Sequence, residues 1–115
     1  MSDIKKLQKK LAEFTEARDW NKYHTAKELA VSLNVEAGEL LEKFLWQRGA
    51  DPKYIAEHKE EIGEEMADVF IYLIMLADEM KVDLIAAADK KIKKNAKKYP
   101  IEKVKGSDKK YSDYE

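Results

Sequence analysis

Two pairs of acidic residues stand within segments that are otherwise rich in apolar residues. Glu36 and Glu39 form the first pair, and Glu65 and Asp68 form the second, each with a separation of three positions. On an α-helix, residues at this separation lie on one side, so the two carboxylates of a pair are neighbours. A charge on an apolar surface costs free energy unless it is paired or binds a cation. The two pairs therefore predict a cation site carried by two helices.

The residue types favour a hard divalent cation at this site. Mg²⁺ prefers oxygen ligands, keeps several waters and shares its coordination with substrate phosphates. The chain has no cysteine, which excludes thiolate-bound zinc and thiol catalysis. Neither His24 nor His58 follows an acidic residue by three positions, so the Glu-x-x-His pattern of di-iron bundles is missing. We expect Mg²⁺, with Mn²⁺ as a substitute, and a phosphate-containing substrate.

Apolar neighbours distinguish Glu36 and Asp68 from ordinary surface charges. At about 100° per residue, Glu36 falls between Leu33 and Leu40 in the apolar stripe of its helix. Asp68 lies beside the apolar stripe of the other helix, on the same flank as Glu61. The pattern leaves two roles open for Glu61, that of a further ligand and that of a solvated edge residue.

The composition limits the class of protein. The chain has 115 residues, of which 44% are hydrophobic and 39% charged, which suits one modest core with solvated outer faces. The formal net charge of −1 argues against a general nucleic-acid binder. The first residues lack the apolar segment of a signal peptide, and the longest apolar run, residues 69–77, is too short to span a bilayer. We expect a cytoplasmic protein that binds neither nucleic acid nor membranes.

An all-α protomer of four to five helices is predicted, because apolar residues recur mostly at helical spacing. The predicted helices cover about residues 3–16, 25–47, 51–80 and 83–99, with a connection at 18–24. Thr25 with Glu28 fits a capping box, Asp51 fits an N-cap before a proline, and Asp83 fits a third N-cap. A break in the third helix is expected near Gly63.

One domain is predicted over residues 1–100, followed by a polar C-terminal tail over residues 101–115. The segment Val69–Ala77 is apolar all round, and a helix of this kind is buried on every side. We expect a second subunit to pack on this segment at Ile71, Ile74 and Met75.

The acidic pairs and the residues around them resemble the all-α nucleotide pyrophosphohydrolases of the MazG family, and among these the small dCTP pyrophosphatase-type enzymes. The family pattern is ExxE, a spacer and ExxD, which here reads Glu36 to Glu39, 25 residues, and Glu65 to Asp68. The similarity also covers Phe14-x-x-x-Arg18-Asp19-Trp20, Tyr23-His24, Phe44-Leu45-Trp46, Asp68 to Leu73, Val82-Asp83-Leu84, Lys91, Asn95 and Tyr99-Pro100.

The resemblance implies Mg²⁺-dependent hydrolysis of a nucleoside triphosphate, dCTP or a related deoxynucleotide, to the monophosphate and pyrophosphate. The four acidic residues would hold the metal and act in catalysis: Glu36, Glu39, Glu65 and Asp68. Trp20 and Trp46 would line the base pocket, while Tyr72 and Asn95 would contact the nucleotide. The family also implies a dimer or a dimer of dimers. Leu11 stands where the dCTP pyrophosphatase has a histidine facing the base, which leaves the base preference open.

A lysine-rich segment, residues 90–98, adds two candidate contacts to the triphosphate. Lys91 and Lys98 are the residues we expect to reach its negative charge, although a lysine run is more often a solvated face. An alternative interpretation of the whole chain is a non-enzymatic helical oligomerisation and interaction module. Nucleic-acid binding through the lysine-rich helix is the least favoured interpretation, because the net charge is near zero.

Overall fold

Helices make up all the regular structure in the part of the chain that the computed structural model describes, residues 2–46 and 51–106. In chain order they are α1 Asp3–Ala17, α2 Ala26–Glu42, α3 Pro52–Glu79, α4 Leu84–Lys98 and α5 Ile101–Val104, with a 3₁₀ turn at Asn21–Tyr23. The all-α prediction is confirmed. Over those same residues, no helix is both long and apolar enough to cross a bilayer.

Side-chain caps begin the helices at the predicted residues. The side chains of Thr25, Asp51 and Asp83 accept hydrogen bonds from backbone N–H groups in the first turns of α2, α3 and α4. Pro52 occupies the first turn of α3, where its missing N–H leaves no hydrogen bond unmade. Local chemistry therefore sets where these three helices start.

The predicted break at Gly63 does not occur, and α3 runs without interruption through 28 residues. A glycine inside a helix costs only about 1 kcal/mol relative to alanine. Helical stability in proteins comes mainly from packing of an apolar face, and α3 packs against both α1 and α2. The tertiary contacts therefore override the local preference of Gly63.

The second helix ends earlier than predicted, at Glu42, and is followed by tight turns through Trp46. The N–H groups of Lys43, Phe44 and Leu45 each bond a carbonyl three residues back, at 3.2, 2.9 and 3.4 Å. Such 3₁₀-type bonds commonly tighten the end of an α-helix. The predicted end at Gln47 lies outside the described residues.

The chain divides into two compact units, Met1–Lys81 and Val82–Glu115. The first unit contains α1 to α3 and the second contains α4 and α5. The core of the first unit is formed by buried apolar side chains from α2 and α3, namely Leu29, Ile62, Ile74 and Ala77. The division into residues 1–100 and a tail over 101–115 stays a prediction.

Ile74 does not lie on a face open to a second subunit. Its side chain is 0% exposed within the single chain, because α1 and α2 both pack on α3. Ile71 and Met75 are partly exposed, whereas Met66 and Phe70 are 56% and 44% exposed. The open apolar side of α3 therefore centres on Met66 and Phe70, one to two turns before the predicted contact.

Candidate metal centre

Three of the four predicted carboxylates come together between α2 and α3. Glu36, Glu65 and Asp68 each offer one carboxylate oxygen, and these oxygens lie within 4.8 Å of one another. We call these three residues the acidic cluster. Glu36 and Glu65 are half-buried, and Asp68 is exposed. One side of the cluster is therefore open for a ligand to approach.

The two helices bring the cluster together because they pack against each other. Their contacts run antiparallel, since Glu36 meets Asp68 and Glu65 whereas Lys43, later in the chain, meets the earlier residue Glu61. Residue numbers rise along α2 as they fall along α3, so that Glu36 faces Asp68 and Glu39 faces Glu65. Both acidic pairs have the same separation of three residues, so the carboxylates on the two helices can lie opposite one another. Two short acidic motifs, far apart in sequence, thus form one site.

Burial and mutual repulsion disfavour the charged forms of Glu36 and Glu65. The pKa of Glu36 rises from its ordinary value to about 7, first because burial removes solvent and then because of hydrogen bonding with Glu39 and the negative charge of its acidic neighbours. Burial likewise raises the pKa of Glu65, with repulsion from Glu39 and Asp68 adding to it. The folded chain holds these carboxylates together against their own repulsion.

Two oxygens of the cluster are buried without a hydrogen-bond donor. The Oε2 atoms of Glu36 and Glu65 have no partner among the described residues. A buried carboxylate oxygen without a donor costs free energy that a bound cation would recover. Three oxygen ligands at this spacing match the hard-cation preference of Mg²⁺ or Mn²⁺. The residues present therefore fit a divalent cation.

Glu39 lies at the open edge of the cluster. Its side chain is exposed, and it lies close enough to Glu36 and Glu65 to contribute to the raised pKa of both. It does not belong to the set of oxygens that lie within 4.8 Å of one another. The geometry thus separates Glu39 from the other three predicted ligands.

A lysine continues the same row on α2. Lys43 Nζ lies 4.0 Å from Oε2 of Glu61, and the charge of Lys43 opposes the rise in the pKa of Glu65. The hydroxyl of Tyr54 donates to the carbonyl of Lys43 and ties the end of α2 to the first turn of α3. Glu61 was left open by the sequence; here it is an ion-pair partner at the edge of the cluster.

His58 is less exposed than its charged surroundings suggest. Its ring stacks on Tyr54 with centroids 4.2 Å apart, and Nδ1 lies 2.9 Å from the carbonyl of Tyr54. A carbonyl only accepts, so Nδ1 carries the proton in this contact. His58 is a packing residue beside the α2–α3 connection.

The two tryptophans are not core residues. Trp46 is 90% exposed and Trp20 is 44% exposed. Trp20 meets Phe14 edge to face at 5.7 Å, and the guanidinium of Arg18 lies 3.7 Å from the centre of the Phe14 ring. Tyr72, one turn after Asp68 on α3, is half-buried. Both indoles present open faces, although their contact with a nucleotide base stays a prediction.

The remaining predicted contacts lie on α4, in the second unit. Lys91, Asn95 and Lys98 are separated by four and three positions, so they share one side of that helix. Lys91 and Asn95 are exposed, and Lys98 is half-buried. Their role towards a nucleotide stays a prediction.

A cavity that the sequence did not reveal lies in the first unit. It has a volume of about 210 Å³ and is formed by α1, the 3₁₀ turn, Leu29 of α2 and the end of α3. Leu11 and Met75 contribute apolar walls, while Asn21, His24 and Asp78 contribute polar groups. These residues are far apart in sequence and carry no shared motif, so the fold alone reveals the cavity.

Comparison with known proteins agrees with the resemblance seen in the sequence. The MazG-like family matches residues 31–114. dCTP pyrophosphatase 1 from Rattus norvegicus is 39% identical over 116 residues, covering 98% of this chain and 66% of the relative, and the Homo sapiens protein is 34% identical with the same coverage. The Bos taurus protein is 35% identical, covering 98% of this chain and 67% of the relative. The chain thus spans about two thirds of the length of these relatives.

A solved structure supports the same assignment. The crystal structure of a pyrophosphatase from Archaeoglobus fulgidus superposes with a TM-score of 0.82 at 43% sequence identity, covering 87% of this chain and 94% of that chain. The family match and the structural match therefore point to the same family. The chain belongs to the MazG-like family.

Proposed function

We propose that this protein hydrolyses nucleoside triphosphates to the monophosphate and pyrophosphate, with dCTP or a related deoxynucleotide as substrate. The acidic cluster carries the proposal, because two of its oxygens are buried without donors in a site that is open on one side. The similarity to proteins named dCTP pyrophosphatase 1 supports the substrate class. The expected cellular role is the removal of unwanted nucleotides from the pool.

The metal ligands in this proposal are Glu36, Glu65 and Asp68. Glu39, which the sequence predicted as a fourth ligand, is assigned a different role below. When bound there, Mg²⁺ supplies positive charge to the triphosphate oxygens and stabilises the charge that develops on the leaving pyrophosphate. Mn²⁺ has the same preference for carboxylate oxygen and would substitute for it.

The reaction adds water across the phosphoanhydride bond between the α and β phosphates. One phosphorus–oxygen bond forms, one breaks, and the water loses a proton. Glu39 is placed to accept that proton on a carboxylate oxygen, since it is exposed and adjoins Glu36 and Glu65 without belonging to their tight set.

The base and the phosphates would contact residues outside the cluster. Trp20 and Trp46 offer exposed aromatic faces, and base stacking on an aromatic side chain contributes about 1–3 kcal/mol per base. Tyr72 follows Asp68 by one turn of α3, along the helix that continues to the cavity at Met75. Lys91, Asn95 and Lys98 would supply positive charge and an amide to the phosphates.

Charge-neutral variants of the cluster test the proposal. Glu36→Gln and Asp68→Asn keep the side-chain shape but remove the charge that holds a cation, so we expect turnover of dCTP with Mg²⁺ to fall by at least about 100-fold. Glu64→Gln, at an exposed residue of α3 that is not part of the acidic cluster, is the matched control and should retain the parent rate. Full activity of the E36Q/D68N double variant would contradict the proposal and favour the non-enzymatic interaction module.

A further inference from the structure

Charged residues follow one side of α2 and the facing side of α3 at intervals of one helical turn, and this pattern extends one turn beyond the acidic cluster. On α2 the row runs Glu36, Glu39, Lys43, and on the antiparallel α3 the facing row runs Asp68, Glu65, Glu61. The first two turns of this pattern carry only carboxylates. In the third turn Lys43 and Glu61 form an ion pair at 4.0 Å. The concentration of negative charge therefore ends at Lys43.

The backbone fixes Lys43 at this position. It is the C-cap residue of α2; its N–H donates to the carbonyl of Leu40, and the N–H of the next residue, Phe44, donates to the carbonyl of Leu41. Its own carbonyl accepts the hydroxyl of Tyr54, which belongs to the first turn of α3. The side chain is only 33% exposed, against 62% for Glu61. An ammonium group held this way stays beside the cluster instead of sampling the solvent freely.

We propose that Lys43 is the built-in counter-charge of the acidic cluster: it stabilises the clustered carboxylates in the metal-free protein and lowers the affinity of the same cluster for a divalent cation. Glu61 holds the ammonium in place as its ion-pair partner. The second part of the proposal rests on the proposed function, because it needs the cluster to bind a cation. The first part concerns the folded chain alone.

The charge of Lys43 acts in opposite directions on the carboxylates and on a cation. The positive charge of Lys43 lies one helical turn from Glu39 and pairs with Glu61, which is itself one turn from Glu65. It therefore offsets part of the repulsion among the carboxylates. The same charge repels an entering cation. An uncharged residue at position 43 should therefore lower the stability of the metal-free protein and raise its affinity for a divalent cation. A residue that only packed would change stability without strengthening cation binding.

The test compares direct binding of Mn²⁺ alone, followed by the electron paramagnetic resonance of the free ion, in the parent protein and in Lys43→Met. Methionine keeps the apolar stem and removes the charge. We expect K43M to bind Mn²⁺ roughly three- to tenfold more tightly, the effect of one unit charge on a divalent ion across a largely hydrated gap. The ratio should shrink as NaCl rises from about 0.05 to about 0.5 M.

Two further variants separate the local charge from other effects. Lys27→Met removes the same charge from an exposed site on α2, sixteen residues or about 24 Å along the helix from Lys43, and should bind Mn²⁺ as the parent does. Lys43→Arg keeps the charge and should also match the parent. Lys43→Gln provides a second neutral variant should K43M fail to fold. Equal or weaker Mn²⁺ binding by the neutral variants, compared with K27M, would overturn the role in cation affinity.

Thermal melting in a chelator tests the metal-free part by itself. K43M should melt about 2–4 °C below K27M, the shift expected for the loss of one partly buried ion pair in a chain of this size. Identical melting temperatures would overturn the stabilising role. If the parent protein bound no Mn²⁺, both the metal requirement of the proposed function and the cation-affinity part of this proposal would fall, while the melting comparison would still decide the counter-charge role.

Discussion

Individual carboxylates in this protein are placed where they raise the free energy of the metal-free folded state. Glu36 and Glu65 each bury one oxygen that receives no donor from the described part of the chain, and both have raised pKa values. Natural proteins rarely keep such an arrangement without a functional reason, because a neutral side chain would be more stable there. Under the proposed function, Glu36 is therefore the residue at which stability and cation binding are most directly opposed.

Stability in the absence of metal should decrease as the pH rises through the titration of Glu36. The folded-state pKa of about 7 lies above the ordinary value of 4.5, so the unfolded chain binds fewer protons than the folded chain between these two values. The proton held by the folded state stabilises it at low pH, and this contribution is lost between about pH 4.5 and pH 7. Glu36→Gln removes the ionisation and should remove this loss.

We expect E36Q in a chelator to be more stable than the parent by about 1 kcal/mol at about pH 8, and to match it near pH 4.5. This free energy is well below the one that corresponds to the whole pKa shift, because water screens the charge of a half-buried carboxyl. Urea denaturation at the two pH values measures it, with Glu64→Gln as the control. A parent protein more stable than E36Q at both pH values would show that the carboxylate of Glu36 stabilises the fold.

Each acidic pair was predictable from the sequence, because residues three positions apart lie on one side of a helix whatever that helix packs against. The Lys43–Glu61 pair was not, since pairing the two requires the register of α2 against α3. The caps at Thr25 and Asp83 were likewise predictable, as they depend only on local hydrogen bonds. Local chemistry is readable in one sequence; the alignment of two helices is not.

At the scale of helices, the errors of prediction arose where tertiary packing decided the outcome. Gly63 was expected to interrupt α3, and the helix continues through it because the packed face outweighs the local cost. Ile74 was expected on an open face, yet it is fully buried by its own chain. In each case the local preference of the residue was interpreted correctly, but the sequence did not show which helices pack around it.

Gly63→Ala should stabilise α3. A Cβ built on Gly63 meets no atom within 4 Å, and alanine is favoured over glycine in a helix interior by about 1 kcal/mol. We expect the free energy of unfolding to rise by about 0.5–1 kcal/mol in urea denaturation, with unchanged turnover. Gly38→Ala on α2, which is equally open, is the matched comparison. Destabilisation by G63A alone would mean that another copy of the chain packs closely against this side of α3.

At the scale of the whole molecule, one short chain combines a helical framework with a charged site. α3 carries the core residues Ile62 and Ile74 as well as Glu65 and Asp68 of the acidic cluster, so the same helix provides the packing and two of the proposed ligands. α2 supplies the facing carboxylates from a helix whose start and end are both fixed by hydrogen bonds. Assembly into a dimer or a dimer of dimers stays a prediction, and the exposed side at Met66 and Phe70 is where we expect contact.

The most direct test of the central claim is product analysis by ³¹P nuclear magnetic resonance, with purified protein, Mg²⁺ and a panel of nucleoside and deoxynucleoside triphosphates. We expect the monophosphate and pyrophosphate in equal amounts from dCTP or a related deoxynucleotide, with no orthophosphate. Diphosphate with orthophosphate would mean that the protein cleaves between the β and γ phosphates, not between the α and β phosphates as proposed. Folded, Mg²⁺-loaded protein that left every triphosphate intact would contradict the assignment of the acidic cluster to this reaction.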